Sequence, residues 1–213
     1  MKIGKTLFAS LALAAASLGA QAQVTGSLGG GTGTFLLLSS PAACTLVTPC
    51  TLSGPVSADI VGGTILNSDQ PFADIPKGAI AGGNFLSAGP TTTEPSTVTF
   101  NSGIDYISFL WGSPDTYNSL TVVTTEGNVA FTAAGLGFSV TNGDQTFSQY
   151  VQFTADAGAD ILGLIFTNSP SIDAFEVANF NVHAVPEPET YALMLAGLAA
   201  VGFISRRRRR RAA

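Results

Sequence analysis

The sequence predicts an all-β protein: an antiparallel β-sandwich or jelly-roll-like body, with a signal-peptide helix before it and a C-terminal transmembrane helix after it. Three observations predict it. From Ser96 onward, short runs rich in Val, Ile, Phe, Tyr and Thr recur at roughly ten-residue intervals between turn residues. No stretch of the body keeps a 3.6-residue apolar period. The two ends, by contrast, carry apolar segments bordered by basic residues.

At the N-terminus, Lys2 and Lys5 precede an apolar stretch from Leu7 to Leu18. Ala20-Gln21-Ala22 then has the small-x-small form of a signal-peptidase site, with Ala20 and Ala22 as the recognised residues. The apolar run is too short for a comfortable membrane span, so a signal peptide over 1–22 is expected, with the mature chain starting at Gln23.

Charge is segregated along the chain. Between Val24 and Val185 there are twelve acidic residues and one base, Lys77, a net charge of −11. A body this acidic repels nucleic acid and anionic lipid, which excludes nucleic acid as a partner. Cys44 and Cys50 are the two cysteines of the chain. In an exported protein this spacing is expected to form a disulfide around a small loop. The alternative, a metal site, needs more ligands, and the single histidine, His183, lies far away in sequence.

Residues 23–95 form a Gly/Ser/Thr/Pro-rich N-terminal part with short strands. It opens on the glycine-rich Gly26–Thr34, which has neither the Lys-Ser/Thr ending of a P-loop nor a Gly-x-Gly-x-x-Gly spacing, and reads as a flexible leader. Phe35 to Leu38 is the first strand candidate. The sandwich core is expected over 96–184. Its strand candidates are Thr97–Phe100, Tyr106–Trp111, Leu120–Thr124, Val129–Thr132, Gly137–Val140, Tyr150–Thr154, Ile161–Phe166 and Phe175–Val182. Turns are expected at Asn101–Gly103, Glu126–Asn128 and Asn142–Asp144. In the last strand Phe175 and Val177 alternate, but Phe180 and Val182 continue on the opposite parity, which predicts a β-bulge.

The C-terminal segment, 185–213, has three parts: Val185-Pro186-Glu187-Pro188, an apolar stretch from Tyr191 to Ile204, and Arg206, Arg207, Arg208, Arg209, Arg210 and Arg211. The two prolines hold the junction extended. From Thr190 to Ser205 the segment would be about 24 Å long as a helix, short of the roughly 30 Å hydrocarbon core. Six arginines directly after it set a cytoplasmic stop, in agreement with an exported body. A permanent anchor is the alternative to a transient sorting tail. Taken together, Val185 through Arg211 resembles the PEP-CTERM sorting domain. That resemblance implies an exosortase as partner, with Pro186, Glu187 and Pro188 as recognition residues of a substrate. It also implies transient residence in the inner membrane and a final location at the cell surface or outside the cell. A second resemblance, to a Trp-Gly-Ser-x-Asp-x-Tyr-Asn signature of exosortase-dependent surface proteins, lies in Trp111–Asn118. It carries no known activity.

Catalytic groups are sparse. There is no Gly-x-Ser-x-Gly elbow and no His-Glu-x-x-His, and His183 lies beside the sorting motif. No cofactor is implied. Asp156 and Asp160 are the acid pair a glycosidase would use, and solvated loop carboxylates are the plainer reading. Asp105, Asp144, Asp156, Asp160 and Asp173 supply hard oxygens for calcium, but without EF-hand spacing. Trp111, Asp115, Tyr117 and Asn118 combine aromatic faces with polar groups, as sugar-binding sites do; alternatively Trp111 fills the core and the others build its turn. The expectation is a non-enzymatic structural or interaction protein of the surface or extracellular matrix. By the resemblance it is associated with exopolysaccharide and biofilm. A lectin-like carbohydrate-binding module is the alternative, and a polysaccharide hydrolase the third reading.

Overall fold

A computed structural model describes residues 23–90, 95–184 and 194–199. The expected signal peptide, including Ala20 and Ala22, lies outside the described residues. So do the sorting residues Pro186, Glu187 and Pro188 and the arginines Arg206 to Arg211. Of the expected membrane segment, 194–199 is helical, with Met194, Leu195 and Leu198 exposed. Among the described residues no helix is long and apolar enough to cross a membrane.

Among the described residues, fourteen strands form one curled antiparallel sheet. They are β1 Val24–Leu28, β2 Thr34–Phe35, β3 Leu37–Leu38, β4 Ala42–Ala43, β5 Cys50–Ser53, β6 Ala58–Val61, β7 Thr64–Leu66, β8 Phe85–Ala88, β9 Ser96–Gly112, β10 Asn118–Thr124, β11 Gly127–Thr132, β12 Ser148–Ala155, β13 Ile161–Asn168 and β14 Phe175–Ala184. The hub is β9. Its first half pairs with β6 and β13, and its second half with β12 and β14. One strand therefore belongs to two layers, and the sheet folds over onto itself around it. Strands on both sides of residue 95 join this sheet and share its core.

The core follows from side-chain alternation. Along β10, Asn118, Leu120, Val122 and Thr124 point inward while the residues between them are half-exposed. Phe109 of β9 sits at the centre, with ring centroids 5.8 Å from Phe153, 5.7 Å from Phe166 and 5.6 Å from Phe180. These offset and edge-on contacts between layers add to the area buried.

Most expected strands are present, and three local expectations are corrected. Asn101–Gly103 is not a turn: β9 runs through it, and the register opposite β13 jumps so that Ile161 faces Ile104 while Gly163 faces Thr99. The extra residues bend the strand, because a bulge lets one strand pass from one layer to the next. Gly137–Val140 is not a strand. A one-turn helix, α1 (Ala133–Leu136), is capped by the Thr132 hydroxyl, and Gly137 ends it at φ 89°. The glycine-rich leader is held in place: the Gly29 N–H donates to the Tyr150 carbonyl at 2.8 Å and the Gly31 N–H to Ser108 Oγ at 3.0 Å. Gly30, at φ 122°, passes so close to Ser108 that a Cβ would lie 2.6 Å from its Cβ, so a side chain is excluded there. The expected bulge in the last strand is present, as a register shift between Ala178 and Asn181.

The outer face of β14 is also covered. Phe72, Ala73, Ile75, Ala79 and Phe85 pack with Ala174 and Ala178 in a second, small cluster. As a result β14 is buried on both faces from Phe175 to Val182.

Cys44 and Cys50 are joined in a disulfide, their Cα atoms 4.9 Å apart. Closing so small a loop stabilises by about 2 kcal/mol in the chain-entropy estimate. Reduction is therefore expected to lower the melting temperature by roughly 5 °C. Calorimetry with and without reductant checks this, and an unchanged transition would show the bond to be energetically idle.

Candidate functional site

The Trp111–Asn118 signature forms the corner between β9 and β10. Trp111 is fully buried. Its indole stacks on Phe175 at 4.2 Å and meets Phe138 edge-on at 5.2 Å. Its Nε1 has no hydrogen-bond partner among the described residues. The chain then turns at Ser113, a non-glycine residue at φ 31°.

The polar groups of the corner bond to one another. The Asp115 N–H donates to Asn118 Oδ1 at 2.8 Å, and the Asn118 N–H returns to the Asp115 carbonyl at 3.2 Å. Asn118 Nδ2 donates to Asn168 Oδ1 at 3.2 Å, and Asn168 Nδ2 donates to the Asp173 carbonyl. These bonds link the corner to the end of β13 and to the loop before β14. The Tyr117 hydroxyl bonds to the Asp115 carboxylate. Burial raises the Asp115 pKa, the Tyr117 bond opposes that rise, and the charge of Asp173 adds to it. The Tyr117 pKa is raised by burial and then by Asp115. Gly143, at φ 70°, closes over the carboxylate; a Cβ there would meet Asp115 Oδ1 at 2.8 Å. Of the four candidate ligand contacts, Trp111, Asp115 and Asn118 are thus enclosed, and Tyr117 is half-buried with its hydroxyl engaged.

Two groups that sequence reasoning missed complete the corner. Glu176 is 0% exposed and lies on the face of β14 beneath the 72–79 segment. Ser113 Oγ donates to its Oε2 at 2.5 Å, while Oε1 has no partner among the described residues. Burial pushes the Glu176 pKa up to about 8, against the Ser113 hydroxyl and the backbone amides of Glu176 and Asp74; Asp115 adds to the rise. Asn179 occupies the bulge at φ 54°. Its Nδ2 donates to the Gly78 carbonyl and to the Tyr150 hydroxyl, each at 2.9 Å, and its Oδ1 accepts from the Ile80 N–H at 2.9 Å. It thereby fastens the covering segment to β14. The parity slip in β14 was the available signal for Asn179, since asparagine tolerates left-handed backbone. Glu176 alternates with apolar neighbours and carried no such signal.

The other acidic candidates are dispersed. Asp144 Oδ1 accepts from the N–H of Thr146 at 2.9 Å and from its Oγ at 2.7 Å, and these bonds lower its pKa. Asp156 and Asp160 flank the turn between β12 and β13. Among the described residues no group of three or more His, Cys, Asp or Glu side chains is placed to hold a metal ion. His183 is exposed near the end of β14 and stacks on Tyr106 at 4.6 Å.

Residues 184–210 match the model of the PEP-CTERM protein-sorting motif. No curated protein and no solved structure matches the chain. The match begins at the last residue of β14, Ala184, so the rest of the sheet lies before it. With that motif in place, the chain is an exported, exosortase-targeted surface protein that carries the PEP-CTERM sorting motif.

Proposed function

We propose that the sandwich is a non-enzymatic structural or interaction module of the outer surface or extracellular matrix, associated with exopolysaccharide and delivered by exosortase processing. The observation that carries this reading is the Trp111–Asn118 corner. Trp111, Asp115 and Asn118 are enclosed, and Asp115, Tyr117, Asn118 and Asn168 are linked by hydrogen bonds, so these groups build the fold at the junction of β9, β10, β13 and β14. A lectin-like use would fall to Tyr117 and the exposed Thr116 beside it.

Intact mass spectrometry of the protein from cells and medium, with and without the host's exosortase, tests the delivery. A form running from Gln23 to Pro186–Pro188 is expected only when exosortase is present. A chain still carrying Arg206 to Arg211 in both strains would mean a permanent anchor in the inner membrane. Co-sedimentation with the host's own polymer tests the association. Binding that Tyr117→Ala abolishes in a folded protein would move the assignment to the lectin class, and no binding would remove the polymer link.

A further inference from the structure

The ladder of β1 begins at Val24, which faces Ala155 of β12 and is buried in the core. Gln23 is therefore the single residue between that buried rung and the expected signal-peptidase site, Ala20-Gln21-Ala22. Its carbonyl is held, since the Asp156 N–H donates to it at 3.1 Å. The nitrogen and the side chain of Gln23 take no part in that bond. The side chain is half-buried and lies over the turn between β10 and β11, where a Cβ on Gly127 would stand 3.1 Å from Gln23 Oε1.

We propose that Gln23 is the first residue of the mature chain and a modification site, closing on itself to an N-terminal pyroglutamate. Cleavage after Ala22 places a free α-amine on the same residue as a carboxamide. The amine nitrogen attacks Cδ, a new N–Cδ bond forms, and the Cδ–Nε2 bond breaks. Nε2 leaves as ammonia, taking the proton that the attacking amine gives up, so no oxidant or co-reactant is needed. The attacking form is the neutral amine, and with an α-amino pKa of about 8 a share of it is neutral at physiological pH. Nucleophile and carbonyl belong to one residue, which raises their effective concentration above that of any bimolecular reaction.

The fold accommodates the ring. Closure draws the side chain back from Gly127 toward its own nitrogen and leaves the carbonyl free to keep the Asp156 N–H. It also protects the sheet. An exopeptidase that removed Gln23 would next take Val24, whose side chain belongs to the core, and would open the end of β1. The lactam has no free amine for such an enzyme to hold. Ring closure also removes the terminal positive charge, so that Lys77 is the only Lys or Arg left between residues 23 and 185.

Mass spectrometry of the N-terminal peptide, from protein harvested from its host directly into acid, tests the proposal. An isotope-labelled peptide of the linear sequence Gln23–Leu28, added at harvest, reports ring closure during handling. The native peptide is expected to start at Gln23 and to be lighter than its linear form by one ammonia, while the added peptide stays linear. Edman degradation should be blocked, and treatment with pyroglutamyl peptidase should restore it, reading from Val24 onward. Gln23→Ser, which has no carboxamide, should start unblocked at position 23 and lose that residue to an added aminopeptidase that leaves the wild type intact. A linear Gln23, a first residue other than Gln23, a ring no more frequent than in the added peptide, or equal trimming of wild type and variant overturns the proposal. These readouts concern the N-terminus alone and do not depend on how the sorting motif is processed.

Discussion

Truncating Trp111 to alanine is expected to destabilise the protein by about 3–5 kcal/mol, the cost of emptying a large aromatic site in a packed core. In a domain of this size that corresponds to a fall of roughly 10 °C in melting temperature. Two effects oppose each other here. The cavity removes the stacking partner of Phe175 and the edge contact with Phe138. Against this, the variant relieves the buried Nε1–H, which has no acceptor among the described residues and costs about 1–3 kcal/mol in the native state. The cavity wins because the whole bicyclic ring is lost while one donor is relieved. Trp111→Phe separates the two effects: it keeps one ring and removes the orphan donor, so it should cost clearly less than the alanine variant. Calorimetry or far-ultraviolet circular dichroism serves as the readout, since Trp111 is the single tryptophan and its fluorescence disappears with it. A loss below about 1 kcal/mol for the alanine variant would show that the indole is not packed as described.

Glu176 should make stability depend on pH in the direction opposite to a salt-bridged carboxylate. Its folded-state pKa is raised from 4.5 to about 8, chiefly by burial. Between those values the folded state holds a proton that the unfolded state has released. Stability is therefore fully present below about pH 4.5, falls as pH rises toward 8, and levels off above it. The slope is at most about 1.4 kcal/mol per pH unit. Asp115 and Asp74, also raised by burial, contribute in the same sense at lower pH. Glu176→Gln keeps the shape and removes the ionisation, so its stability curve should be flatter between pH 5 and 8. At pH 9 it should exceed the wild type by a few kcal/mol. Denaturant unfolding at pH 5, 7 and 9 checks this. If the two curves run parallel, Glu176 does not hold its proton in the folded state. The group also joins two parts of the fold, since Ser113 of the corner and the segment carrying Asp74 both meet it. Its ionisation at high pH should accordingly loosen the 72–79 cover first, visible as faster amide exchange there.

Local chemistry made several features legible in advance. The alternation of apolar residues marked most of the strands after Ser96, because one face of each is buried and the other is not. The opposite parities of Val177 and Phe180 disclosed the bulge, because two inward-facing residues cannot stand three apart on a regular strand. Pro114-Asp115 disclosed the corner, though not which of its side chains would be enclosed. The turn chemistry of Asn101–Gly103 misled, because the same residues that close a hairpin also allow a strand to bend and change layers. Phe138 misled in a similar way: it stands in an apolar run but reaches Trp111 from beyond the one-turn helix that Gly137 terminates.

The sequence by itself determined the all-β class, the acidic body and the C-terminal sorting motif, since composition, two-residue alternation and a contiguous motif are local properties that need no partner strand. Only the tertiary structure decided that β9 serves two layers, that Trp111 is sealed against Phe175, and that Glu176 lies buried under the 72–79 segment. Each of these depends on residues dozens of positions apart, and which face of a strand is covered twice is set by what packs on it rather than by its own residues.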